Sequence, residues 1–549
     1  MSDASAKTAS GGLAAVDADR LDQRSWPDAW PAFALLAVAI GAFALGRESA
    51  QFLVEQFPKS AELLFYTAAL FSLVVAAFST TPDDKAIRIL SAGVGAILAL
   101  TALPTLLGFP VANPEFGGIA QRLFLIGPLV VTGFAIAAYW RPAALIACGF
   151  FPLAERATIP WVSGMPIGSL DIYPIYEVAL FVGTGAAMLT GAKALFPKFA
   201  EEDRYVPLVW IFALGIHFGN YFYSAVAKLA LDGPLFSWVL ENQTNDTALL
   251  AAWYNGRWLL ASNPELSVQI AQTLGALNTP SNLLVLVIQI AAPLALLRMN
   301  WIKLQTILYD LMHLAIFFVV GILFWKWILL NLAFLFSASR LARERFDTGA
   351  KAVGVLAVVL GFTVAQTAQL GWYNTPALGS RILYANTQEG ESVRVPTSFF
   401  LNQSYSVSHA RFAVDDPDAF PTSPMGNTFR YAIHQAALTC DFSALPKAPR
   451  YRSSAARTKD ADATARFIKA HHAFYLGLSD HGQFDYTLFP FHHFSNPAYY
   501  KAFFELDKRR VTSYTLVSRS HCIDAHEGQL RSRVQHESRY DIPIRRSRL

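Results

Sequence analysis

Charge is what this sequence has least of. Lys, Arg, Asp and Glu make up 15% of its 549 residues, against roughly 25% in an ordinary soluble domain. The shortfall excludes a soluble globular chain throughout. The net charge of +4 is too small for a nucleic-acid partner. Residues 1–29 are polar and the first apolar run starts only near Trp30, so the pattern of a cleavable signal peptide is missing. No His-x-x-x-His or other metal-ligand spacing occurs, and His492–His493 are adjacent rather than one helical turn apart. We find no internal repeat and no matched pair of broken helices, which argues against a transporter.

What is present is apolar sequence in long runs. Hydrophobic residues make up 54% of the chain, and a hydrocarbon core of about 30 Å needs about 20 of them in a helix. Candidate spans cover 30–47, 61–80, 86–108, 119–139, 142–158, 170–191, 206–229 and 281–297, two more back to back in 302–338, and 350–372. The fold class is therefore a polytopic α-helical membrane protein of about eleven transmembrane helices. Cytoplasmic loops carry the excess of Lys and Arg. With the N-terminus inside, the inside loops hold Lys85, Arg88, Arg141, Lys193, Lys198, Arg204, Arg298, Lys303, Arg340, Arg343, Arg345 and Lys351. The outside loops hold only scattered basics such as Lys59, Arg156 and Arg257. The pattern predicts N-in, C-out.

Three units follow: a polar cytoplasmic segment 1–29, a helical transmembrane domain 30–373, and a C-terminal extramembrane domain 374–549. From about Asn374, Pro, Ser, Asp, Arg and aromatics replace the apolar runs. Thr397–Asn402 and Ser513–Ser518 alternate like strands and Ala463–Phe474 reads as a helix, so a small α+β domain is expected. It lies on the periplasmic side of a cell inner membrane. An oxidising space would let Cys440 and Cys522 form a disulfide, with two unrelated thiols as the alternative. The domain also holds ten of the twelve histidines: His409, His434, His471, His472, His481, His492, His493, His521, His526 and His536. Zinc or copper would suit imidazole, but without ligand spacing they read as surface and interface histidines. The tail Arg545–Leu549 reads as a solvated basic end that could touch anionic lipid or a partner.

Polar residues inside spans are costly there and often functional. In the seventh span His217, Tyr221, Ser224 and Lys228 are spaced four, three and four apart, on one helix face. The ninth span carries Asp310 and His313. The sixth begins Asp171–Ile–Tyr173–Pro–Ile–Tyr176–Glu177. Together these could perform acid–base chemistry or serve as hydrogen-bonded glue between helices. Individually, Lys228 could snorkel, His217 and His313 could be satisfied packing residues, and Asp310 could be an interfacial charge.

The stretch Tyr223–Ser–Ala–Val–Ala–Lys228–Leu229, followed by Asp232–Gly233 and Trp238, resembles a segment of the vitamin K-dependent gamma-carboxylase family and its bacterial relatives, the horizontally transferred transmembrane domain proteins. His313–Leu–Ala–Ile–Phe–Phe–Val–Val–Gly321–Ile–Leu–Phe324 is similar to that family's His-containing helix. The likeness covers residues 205–340. Here the His313-to-Gly321 spacing differs from the carboxylase's, and no asparagine follows His313 one turn on. The resemblance implies an N-in bundle with an outer domain and a reduced quinone as cofactor. Lys228 would be the base that deprotonates the quinol, and His217 and His313 would hold the quinol or an oxyanion. Tyr221, Ser224 and Asp310 are the remaining ligand-binding candidates. Desolvation is the physical requirement for an amine to act as base.

Two functions are therefore expected. One is a carboxylase-like membrane protein binding a hydrophobic, quinone-type ligand near the outer leaflet. The other is a non-enzymatic accessory or assembly subunit whose outer domain docks other membrane or periplasmic subunits. Membrane lipid is a partner in both.

Overall fold

The structure, a computed structural model, describes residues 30–79, 81–107, 111–113, 118–163, 173–199, 202–341, 346–404, 407, 418–445, 461–478, 492–526 and 529–544. The segment 1–29, Asp171, Arg343, Arg345, His409, His481 and the tail Arg545–Leu549, all singled out in the sequence, lie outside the described residues.

The apolar runs form helices. They are α1 (Trp30–Gln56), α2 (Ala61–Phe78), α3 (Lys85–Ala102), α4 (Gly118–Ala138), α5 (Leu145–Ser163), α6 (Tyr173–Leu195) and α7 (Glu202–Leu229). After these come α8 (Ser237–Leu240), α9 (Thr244–Tyr254), α10 (Pro264–Ala276), α11 (Asn278–Ile290), α12 (Ala292–Ala295), α13 (Met299–Val320), α14 (Trp325–Ala338) and α15 (Thr348–Leu360). Side chains start several of them. Asp84 accepts from the Ala86 N–H at the head of α3, Asp347 from Ala350 N–H before α15, and Asn263 from Leu266 N–H before α10, each satisfying a donor that the first turn leaves free.

Among the described residues seven helices (α1, α2, α3, α4, α6, α7 and α13) are long and apolar enough to cross a membrane, and α10 with α11, bent by 65°, could make an eighth. The other expected spans are present as helices but differ in length. The run 142–158 becomes α5, which continues to Ser163 and so carries Glu155 and Arg156 within the helix rather than at its end. The last two are short: α14 has 14 residues and α15 has 13, or about 20 Å each at 1.5 Å per residue.

Helix α7 is the axis of the bundle. Trp210, Ile211, Leu214, His217 and Phe218 are all buried, while α1, α2, α4 and α13 turn Leu45, Phe71, Leu129 and Leu311 outward. Gly215 lets α7 lie close against α15: a methyl there would meet the Gly354 carbonyl at 3.0 Å and collide with Ala357 of α15. Small residues let helix backbones pack in this way within a membrane.

The C-terminal domain, called the outer domain for the side expected of it, is built on an antiparallel four-stranded sheet in the order β3-β2-β5-β6, with β2 Ala377–Thr387, β3 Ser392–Arg394, β5 Val511–His526 and β6 Gln529–Pro543. A second ladder pairs β1 (Tyr373–Asn374) with β4 (Asn427–Thr428). The expected strand at Ser513–Ser518 lies within β5, and the expected helix is Ala461–Gly477. Thr397–Asn402 is corrected: Thr397–Gln403 is a 3-10 helix. Both Phe399 and Phe400 are buried there, and two adjacent side chains cannot share one face of a strand. They pack with Phe467, Tyr475 and Tyr514, and the same cluster takes in Phe124 of α4 with Ile159 and Val162 of α5. Domain and bundle thus share a core.

A disulfide joins Cys440 to Cys522 across 82 residues. The histidines are placed otherwise than expected. His434, His471, His472, His492, His493 and His521 are buried rather than on the surface, although His493 does lie at an interface, bridging to Ile322 of the bundle. Among the described residues no three His, Cys, Asp or Glu side chains gather around a point that could hold a metal.

Candidate functional site

A cavity of about 1370 Å³ lies where the bundle meets the outer domain, larger than the roughly 300–1,000 Å³ usual for small-molecule sites. One wall is the C-terminal part of α7, with Tyr221, Ser224 and Lys228; α13 adds His313 and α11 adds Gln289. Trp327 of α14 and Phe324 before it form an aromatic floor, and the stretch 421–430 of the outer domain closes the far side.

Lys228 is 8% exposed. Its Nζ donates to the Leu370 carbonyl at 2.6 Å, to Gln289 Oε1 at 3.0 Å and to its own helix at Ser224 O, 3.2 Å. The ammonium also lies 5.1 Å from the Trp238 ring centre, a favourable cation–π distance. Three acceptors match the three donors of a protonated lysine. Ser224 Oγ donates to Asn220 O at 2.7 Å and accepts from Leu370 N–H at 3.2 Å, while Asn220 Oδ1 accepts from Ala368 N–H at 2.7 Å. The polar face of α7 is therefore occupied largely in holding the chain segment that leaves α15 for the outer domain.

One turn deeper, Asn331 of α14 binds three of the expected site residues. Its Oδ1 accepts from His217 Nε2 at 2.7 Å, and its Nδ2 donates to Asp310 Oδ1 at 2.7 Å and Tyr221 Oη at 3.1 Å. The carbonyl acceptor places the histidine proton on Nε2. Tyr221 stacks on Tyr309 with ring centres 3.5 Å apart, and His313 stacks on Phe324 at 5.1 Å. Tyr221, Ser224, Lys228 and His313 thus line the cavity, whereas His217 and Asp310 lie behind its wall.

Sequence reasoning did not single out Asn331, Gln289, Arg47 or Gln366. Arg47 lines the cavity from α1 and pairs with the fully buried Glu177 of α6 at 3.5 Å. Glu177 also accepts from the Gln366 N–H at 3.2 Å, and Gln366 Nε2 donates to Gln51 at 2.6 Å. The available signal was the one used for α7, a lone polar residue within an apolar helix. At the rim Tyr431 donates to Glu241 at 2.6 Å, and that carboxylate pushes the phenol up to about 12. Arg430 pairs with Asp232 at 3.4 Å.

The arrangement can bind a ligand with an apolar body against Phe324 and Trp327 and a polar head toward Lys228 and Gln289. No family model, curated protein or solved structure matches this chain.

Proposed function

We propose that this is an integral membrane protein whose cavity holds a hydrophobic, polar-headed ligand, in the manner of the carboxylase-like proteins that its residues 205–340 resemble. One observation carries the reading: a single large cavity wall combines Lys228, Ser224, Tyr221 and His313 with Phe324 and Trp327. A quinol fits these residues, with its ring on the aromatics and a hydroxyl toward Lys228.

Action as a base requires Lys228 to lose a proton first. The neutral amine has two N–H donors and a lone pair, so one acceptor must be released. Gln289 is suited to this, since its amide presents Oε1 to the ammonium and, after rotation, Nε2 to the amine. The ammonium would give its proton to water in the cavity, and the neutral amine would then take one from the quinol hydroxyl.

The same reading includes eleven spans, N-in, with the outer domain periplasmic. The support is the sequence of helix ends. Leu229, Val320 and Leu360 end beside the outer domain, while Lys193, Lys198, Arg204, Arg298, Lys303, Arg340 and Lys351 fall at the other ends of their helices, as the positive-inside rule demands. The disulfide suits an oxidising compartment. Short α14 is supported where α7 and α13 bind Asn331, and α15 where Tyr223 of α7 donates to the Val359 carbonyl.

The accessory-subunit reading is favoured by β6. It is a 15-residue edge strand, and among the described residues no strand pairs with its outer side. A long edge strand is where a strand of another chain can add.

Gentle-detergent purification from the native membrane followed by mass spectrometry tests both. A lone chain carrying a quinone-like molecule, lost in Lys228→Met, supports the first reading. A stoichiometric complex without bound quinone overturns it.

A further inference from the structure

Among the described residues, three large apolar side chains are exposed together on the loop and short helix that follow α7. In the loop after α7, Leu235 is 73%, Phe236 49% and Leu240 65% exposed. Phe236 adopts a left-handed φ of 64°, rare for a bulky L-residue and kept only where its surroundings determine it. The determinants are visible. Trp238 is buried and donates to the Trp372 carbonyl at 2.9 Å, and Asn282 of α11 donates to the Asn242 carbonyl at 2.8 Å. This anchoring turns Trp238 inward and leaves Leu235 and Phe236 facing out. Phe429, next to the Arg430 that pairs with Asp232 of this loop, and Phe362, which packs on Tyr223 of α7, are also half exposed or more. Phe362, Phe429 and Leu231 line the cavity, so the apolar rim lies at its edge.

The rim is continuous with a membrane-facing surface. α8 packs on α11 through Trp238, Val239 and Leu286, and α11 turns Leu283, Leu284 and Val287 outward. Large apolar side chains left in water along one cavity rim would make an unusual patch. The neighbouring charges, Asp232, Arg430 and Glu241, sit on the outer-domain side, where headgroups would be.

We propose that Leu235, Phe236, Leu240, Phe362 and Phe429 are immersed among phospholipid acyl chains of the leaflet on the outer domain's side. They frame a lateral portal through which the cavity fills from lipid rather than from water. The portal rests on the reading that the cavity takes a hydrophobic ligand; the immersion can be measured without any ligand.

The test uses the full chain in phosphatidylcholine vesicles, with Leu235→Cys or Phe429→Cys carrying an environment-sensitive fluorophore. Cys148 is buried and the other two cysteines are joined, so the introduced thiol is the one labelled. Leu284→Cys and Ser392→Cys serve as lipid and water controls. Nitroxide on the lipid acyl chain should quench the 235 and 429 labels as fully as the 284 label, and iodide should leave them bright. Iodide quenching at the 392 level with no effect of nitroxide lipid would overturn the proposal. A photo-crosslinking residue at Phe362 should capture a phospholipid on illumination, and its failure to do so would overturn the portal. Lipid quenching in a protein that purifies without any lipophilic molecule would sink the functional reading alone. Both labelled positions are exposed, and monodisperse elution confirms folding.

Discussion

Lys228 Nζ and the main-chain carbonyl of Leu370 lie 2.6 Å apart, which fastens the last turn of the central helix to the chain entering the outer domain. A group proposed as a base is also a structural tie, and the two roles can be separated by experiment.

Lys228→Met removes three hydrogen bonds and leaves Leu370 O and Gln289 Oε1 without their donor. Bonds to charged groups contribute about 1.5–3 kcal/mol each and do not add, so a loss of roughly 2–4 kcal/mol is expected. Thermal melting in detergent reads it. Lys228→Arg should recover most of the stability without restoring ligand chemistry, since guanidinium does not give up its proton. Full activity in the Arg variant would rule out the base role.

Asn331→Leu should destabilise the bundle more than loss of any single partner. It strands the His217 donor and the Asp310 carboxylate together, for a cost on the order of 3–5 kcal/mol. Asn331→Asp should be worse, with two carboxylates facing each other where one amide joined them. Melting temperatures in the order wild type, Leu, Asp are the expected outcome.

Cys440→Ser should lower the stability of the outer domain. The bridge spans 82 residues, and chain-entropy reasoning puts its contribution at roughly 4–5 kcal/mol, an upper figure. Alkylation of the denatured, unreduced wild type should mark Cys148 alone, which mass spectrometry can verify.

Acid should loosen the outer domain. Burial pushes His471, His472 and His521 down to about 4. In the unfolded chain they take up protons as pH falls below about 6.5, whereas the folded domain keeps them neutral. Their contribution is thus intact above pH 6.5 and is lost as pH falls toward 4. For His471, whose Nε2 donates to the Phe399 carbonyl at 2.6 Å, this is on the order of 3 kcal/mol. A melting temperature that stays flat between pH 7 and 4.5 would contradict it; His471→Phe should flatten the curve.

The sequence displayed the bundle well because lipid imposes long apolar runs, and the polar face of α7 was visible as an exception to them. The site was only half legible. Tyr221, Ser224, Lys228 and His313 could be named, but Asn331 could not be told from any other asparagine without knowing that α14 lies against α7 and α13. Arg47 was hidden at the end of the first apolar run, its partner Glu177 being 130 residues away. The segment 230–277 gave no warning that Leu249 and Trp258 would share a core with Leu378 and Ile523 of the outer domain. Tertiary pairing of this kind leaves no local period. At Thr397–Gln403 alternation suggested a strand, and the need to bury two neighbouring phenylalanines prevailed.

The brevity of α14 bears on how the protein is made. It carries Lys326 and Asn331 in 14 residues and is a poor candidate to enter lipid alone. The partners of Asn331, His217, Tyr221 and Asp310, all leave the ribosome before it does. On the eleven-span reading, the polar centre of this helix therefore has partners only once α7 and α13 are in place, which favours insertion from the N-terminus onward. On that reading, a chain that fails to bring α7 and α13 together would leave Asn331 without its partners, and α14 would be poorly suited to stay in the membrane.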